Sequence, residues 1–97
     1  MTSQTEGEFT LLLFASAQSY CSDTESLSLS APMTLAELYN ELEKRWPGVS
    51  EKVLKSSQIV VNLEYVDCDY DERETKGKDI VIKHGDEVGI VPPVSAG

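Results

Sequence analysis

Ninety-seven residues suffice for one domain with a single modest core. A hydrophobic share of 40% is ordinary for a globular chain, so folding needs no metal or disulfide staple. Seventeen acidic against eight basic residues give a net charge of −9, which argues against nucleic acid or an anionic membrane as partner and favours a basic groove on another protein.

Residues 1–7 are small and polar and read as a flexible N-terminus without a secretory signal. Glu8 to Phe14 is the first strand, with Phe9, Leu11 and Leu13 on one face and Leu12 and Phe14 on the other, so both faces are candidates for cover. Ala15 to Asp23, rich in serine and small residues, reads as a connection. Thr24 to Ser30 alternates leucine and serine, a half-buried strand that would pair with the first as a β-hairpin. Two cysteines, Cys21 and Cys68, show neither a disulfide framework nor zinc spacing, and read as reduced thiols of a soluble, cytoplasmic protein.

Pro32-Met33 leads into a helix. Thr34-Leu35-Ala36-Glu37 has the spacing of a capping box, in which the threonine hydroxyl and the glutamate carboxylate each take one free backbone N–H. Leu35, Leu38, Leu42 and Trp46 recur at helical spacing and face a core, and Pro47-Gly48 ends the helix. Val49 to Ser57 reads as a short second helix or turn packing through Val53 and Leu54. Gln58 to Val66 is β-branched, with Asn62 as the turn point. Asp67 to Lys78 is densely charged but lacks the glycine and closing glutamate of a calcium loop, so it reads as solvated surface and no metal site is assigned. Asp79 to Lys83 is a short strand, His84 to Glu87 a turn, and Val88 to Val91 the last strand. The order predicts an α+β fold, a mixed sheet of about five strands on one main helix.

After Val91 the chain reads Pro92-Pro93-Val94-Ser95-Ala96-Gly97. Proline favours an extended path, so this stretch should project from a domain spanning residues 8–91. At about 3.1 Å per residue it would reach roughly 19 Å, enough to enter a narrow tunnel of a partner. A final glycine brings a carboxylate to a reaction centre without a Cβ in the way.

The capped helix after a hairpin, Arg45-Trp46-Pro47-Gly48, Val61-Asn62, Gly85-Asp86-Glu87-Val88 and Pro92-Pro93-Val94-Ser95 together resemble the small, sulfur-carrying subunits of molybdopterin synthase. The likeness runs over residues 8–97, and the closing GDEV…PPVS run is its most specific part. It implies a ubiquitin-like β-grasp fold and a role in molybdenum cofactor biosynthesis. It further implies that a ubiquitin-activating-type adenylyltransferase uses ATP to adenylate Gly97, and that a sulfur donor converts the glycyl-adenylate to a thiocarboxylate. Pro92, Pro93, Val94, Ser95 and Ala96 would be the part threaded into the large catalytic subunit, in a heterotetramer of two small and two large subunits, where sulfur passes to cyclic pyranopterin monophosphate. The chain would be no enzyme alone, and it shows no nucleophile–base pair or phosphate loop. The family ordinarily ends in Gly-Gly, so Ala96 is a departure that narrows the fit inside an enzyme tunnel. Related carriers for tRNA thiolation or thiamine synthesis are the alternative, although their tails lack Pro-Pro-Val-Ser. A non-covalent ubiquitin-like binding domain is the other.

Overall fold

The computed structural model describes residues 7–66 and 77–93. Strand β1 (Gly7–Leu13) carries the alternation expected of it, with Phe9, Leu11 and Leu13 buried. A short helix, α1 (Ala15–Tyr20), follows where the sequence suggested only a connection. Its residues are small and no side chain caps its N-terminus, so the usual start signal is missing. It is held by burial of Ala17 and Cys21, one turn apart, and by the Cys21 N–H donating to the Ala17 carbonyl at 3.1 Å. Burial also pushes the Cys21 thiol above its ordinary pKa, so it behaves as a small apolar core group.

Strand β2 (Ser26–Ala31) pairs antiparallel with β1, placing Leu29 against Phe9 and Leu27 against Leu11. Two residues expected to lie at the helix entrance form β3 (Met33–Thr34) instead. The main helix, α2 (Leu35–Arg45), begins with the predicted capping box: the Glu37 N–H donates to Thr34 Oγ1 at 3.1 Å, and the Thr34 N–H to Glu37 Oε1 at 2.8 Å. Leu35, Leu38 and Leu42 are fully buried beside Tyr39, which the leucine periodicity alone did not single out. Gly48, at φ 93°, turns the chain into α3 (Val49–Lys52). Glu43 joins the two helices by accepting the Gly48 and Ser50 N–H groups at 2.8 and 3.1 Å, which holds its carboxyl below the usual range. A 3₁₀ turn, Leu54–Ser56, closes this segment with Val53 and Leu54 buried as expected.

Strands β4 (Gln58–Val61) and β5 (Glu64–Val66) form a hairpin about Asn62-Leu63. The charged segment singled out in the sequence lies, over residues 67–76, outside the described residues, and Cys68 with it. Strand β6 (Val81–Ile82) is shorter than predicted and pairs with β3 in a separate two-stranded sheet. Strand β7 (Glu87–Val91) lies in the middle of the main sheet, whose order is β2-β1-β7-β4-β5. The β1–β7 pair is parallel and the other neighbours are antiparallel, so the five-stranded mixed sheet on one main helix agrees with the sequence reading. Phe9, Leu11, Leu29, Ile59, Val88 and Ile90 from the sheet meet Leu35, Leu38 and Leu42 from α2.

Candidate functional site

One face of the sheet is spent on the core, and the other carries the site. The strand that leads to the tail is fixed on both sides. Thr10 to Leu13 align with Glu87 to Ile90 on one edge of β7, and Gln58 to Val61 align with Val91 to Val88 on the other. Pairing therefore continues to Val91, the last residue before the prolines.

The entry to β7 is tied down as firmly. The Asn62 amide donates to Asp86 Oδ1 at 3.1 Å, and its Oδ1 accepts the Glu87 N–H at 2.9 Å. The Asn62 N–H donates to the Glu87 carbonyl at 2.8 Å, and the Lys83 N–H donates to Asp86 Oδ2 at 2.8 Å. The Lys83 N–H and then the Asn62 amide hold the Asp86 carboxyl below its ordinary range. Two stretches singled out in the sequence, Val61-Asn62 and Gly85-Asp86-Glu87-Val88, thus meet in space and do one job. They place the β4–β5 turn against the start of the final strand. Arg45-Trp46-Pro47-Gly48 lies apart from them at the end of α2, where the Pro47 carbonyl accepts from the Tyr20 hydroxyl at 2.8 Å. His84 sits in the turn before β7, and its Nδ1 accepts the Glu8 N–H at 3.1 Å, a positional role.

Beyond β7, Pro92 is buried and Pro93 exposed. Val94, Ser95, Ala96 and Gly97 lie outside the described residues. The tail therefore leaves from a fixed base, and the first proline belongs to that base.

Beside this base an apolar groove of about 200 Å³ runs over the outer face, lined by Leu12, Phe14, Val60, Leu63, Glu87, Gly89 and Val91. Leu12 and Val60 flank Gly89 from the two neighbouring strands. Gly89 forms the floor: a Cβ there would stand 3.2 Å from Phe14 Cε2 and 3.9 Å from Val60 Cβ. Its glycine is a matter of space. Phe14 is 46% exposed, Tyr65 71% and Leu63 89%. Leu63 is also held at φ 71°, next to Asn62 at φ 50°, in a two-residue turn whose positive φ angles favour glycine and asparagine. Phe14 and Leu63 thus put exposed apolar surface side by side along the groove, as a contact surface does.

Sequence reasoning noticed the second apolar face of β1 but did not assign docking residues. Leu63, Tyr65 and Gly89 gain their meaning only when the hairpin is laid beside β7. Among the described residues no group of three His, Cys, Asp or Glu side chains is placed to hold a metal, and no helix is long and apolar enough to cross a membrane.

Residues 11–97 match the ThiS family. The chain belongs to the ThiS family. Among curated members, the molybdopterin synthase sulfur carrier subunit of Pyrenophora tritici-repentis is 43% identical over 91 residues, covering 94% of this chain and 91% of that protein. The fold of this ThiS-family chain is shared with the small archaeal modifier protein 1 of Methanosarcina acetivorans. The TM-score there is 0.68 at 24% identity, over 95% of this chain and 98% of the other. It is shared too with a chain in the protein–protein complex of subunits 1 and 2 of the molybdopterin-converting factor from Helicobacter pylori. That match has a TM-score of 0.62 at 22% identity, over 93% of this chain and 99% of the other. The ubiquitin-like β-grasp expected from the sequence is therefore the observed fold.

Proposed function

We propose that this chain is the sulfur carrier subunit of a molybdopterin synthase, with Gly97 as its reacting residue. The observation that carries the reading is the 43% identity to a curated carrier subunit of that name across nearly the whole chain. The geometry supports it: a strand paired on both edges as far as Ile90, and on one edge to Val91, hands the chain to two prolines beside an apolar groove.

In this reading an adenylyltransferase brings ATP to the tail. The Gly97 carboxylate attacks the α-phosphate, pyrophosphate leaves, and an acyl-adenylate forms. A sulfur donor then displaces AMP, giving a thiocarboxylate whose sulfur is a soft nucleophile at neutral pH. The same tail, expected from the sequence to be threaded from Pro92 and taken here from Pro93 because Pro92 is buried, enters the large subunit and delivers sulfur to cyclic pyranopterin monophosphate. The domain contributes no general base. Its work is to present the tail from a fixed point and to hold the partner. Contact with the large subunit runs through the Phe14–Leu63–Val91 groove, in a heterotetramer of two small and two large subunits. The setting is the cytoplasm, where ATP and reduced thiols are at hand.

The test is intact mass after incubation with the activating enzyme, ATP and a sulfur donor. One oxygen-to-sulfur exchange localised to Gly97 is the expected product, and an unmodified chain under conditions that modify a Gly-Gly relative would refute the assignment. Ala96→Gly should be thiocarboxylated at least as fast as the parent; slower modification would show that Ala96 does not crowd the tunnel.

A further inference from the structure

A second groove opens on the far side of Phe14. Its volume is about 260 Å³, and Leu12, Leu13, Phe14, Gln18, Glu25 and Ser26 line it. Leu12 and Phe14 belong to both grooves, so the Phe14 ring is a ridge between them. The two differ in chemistry. The first is apolar apart from Glu87 at its margin, whereas the second counts the acidic Glu25 and the amide-bearing Gln18 among its lining beside Leu12, Leu13 and Phe14. The Leu13 N–H donates to the Glu25 carbonyl at 2.9 Å, which fixes the backbone from which the Glu25 side chain starts. Among the described residues Glu25 has no ion-pair partner.

An apolar occupant would strip water from Glu25 and return nothing for it. An anionic occupant would meet Glu25 and a chain of net charge −9. A long cationic side chain fits every element: its methylenes lie on Leu12 and Phe14, its charge faces Glu25, and the Gln18 carbonyl can take a further N–H. A guanidinium would also stack on the Phe14 ring.

We propose that this second groove receives a lysine or arginine side chain of the large subunit. The inference rests on the docking surface assigned under Proposed function. The first groove reaches Val91 at the base of the tail, so a subunit that takes the tail lies across the first groove and, over the Phe14 ridge, reaches the second. The pair of grooves would then set register, the apolar one by fit and the acidic one by charge.

The experiment is calorimetric titration of the full chain with its large subunit at low and high salt. The variants are Glu25→Gln, Glu25→Lys, Phe14→Ser and, on α3, Glu51→Gln, each checked for an unchanged melting curve. Glu25→Gln should raise Kd about fivefold at low salt and less than about twofold at 0.5 M salt. Glu25→Lys should raise it about thirtyfold at low salt, with Glu51→Gln indistinguishable from the parent. Parental affinity in Glu25→Lys, together with a clear loss in Phe14→Ser, would overturn the cationic subsite and leave the docking surface intact. A loss in Glu25→Gln that is equal at both salt concentrations would also overturn it, because the effect would not be electrostatic. Parental affinity in both Phe14→Ser and Glu25→Lys would refute the docking surface itself.

Discussion

Placing a methyl group at the floor of the apolar groove separates stability from recognition, and Gly89→Ala is the substitution that does so. The new Cβ would stand 3.2 Å from Phe14 Cε2, tighter than ordinary contact, so the ring must yield by a few tenths of an ångström. Phe14 has room to do this, being 46% exposed and lying just past the end of β1. Tilting the ring costs on the order of 0.5–1.5 kcal/mol if it leaves its preferred rotamer. Replacing a strand glycine by alanine returns about 0.5–1 kcal/mol by restricting the unfolded chain. The two nearly cancel, and the melting temperature should stay within about 4 °C of the parent. Binding has no such compensation. A partner side chain docked there as proposed would lose its floor, and overpacking of this kind costs about 1–3 kcal/mol. Affinity for the large subunit should therefore fall roughly five- to 140-fold. Calorimetric titration beside thermal melting reads both quantities. In a Phe14→Leu background the stability cost should shrink, since the clashing ring edge is gone. Unchanged affinity in Gly89→Ala would refute the groove as a contact surface, and a stability loss above about 2 kcal/mol would refute the claim that Phe14 is free to move.

Four further substitutions probe how the fold behind the site is held. Thr34→Ala removes half the capping box of the main helix and should cost about 1 kcal/mol, seen as a melting point lower by about 4–8 °C. Gly7→Ala would drive a Cβ to 2.6 Å from His84 Cγ, and should destabilise the chain by about 1–3 kcal/mol. Adding His84→Ala should recover part of that loss, and no recovery would show that the clash is not the cause. Asp86 has a folded-state pKa below its unfolded value of about 3.9, so its contribution is complete above that value and is lost as pH falls through the folded one. The stability gap between the parent and Asp86→Asn should thus be widest near neutrality and close as denaturation is followed from about pH 5 to pH 2. A gap of constant width would rule out the ionised carboxylate as its source.

Local signals were legible in the sequence where they agreed with the long-range structure. Thr34 and Glu37 stand at the one spacing that lets each cap the other, and the leucines after them repeat at helical period, so α2 could be read directly. Alternating leucine and serine disclosed β2 for the same reason. Helix α1 was not legible because two small residues, Ala17 and Cys21, turn it inward and nothing caps it. The prolines suggested a chain that projects from the domain, but its base could not be read, since whether Pro92 is covered depends on the fold around it. The apolar groove was half visible: Leu12 and Phe14 declared a second apolar face in the sequence, whereas Gly89 matters for an atom it lacks. Leu63 looked like a turn residue, and only its 89% exposure at positive φ marks it as something presented outward.

The position of β7 has a mechanical consequence. Strand β1 begins the described chain and β7 ends it, and the two lie side by side and parallel. A pull directed along β7, as the proposed function would apply, runs at right angles to its hydrogen bonds with β1 and β4. Those bonds are loaded together in shear and cannot open one at a time as in a peeled edge strand. Under the proposed function, a partner could draw the tail taut along this line without unravelling the domain that carries it.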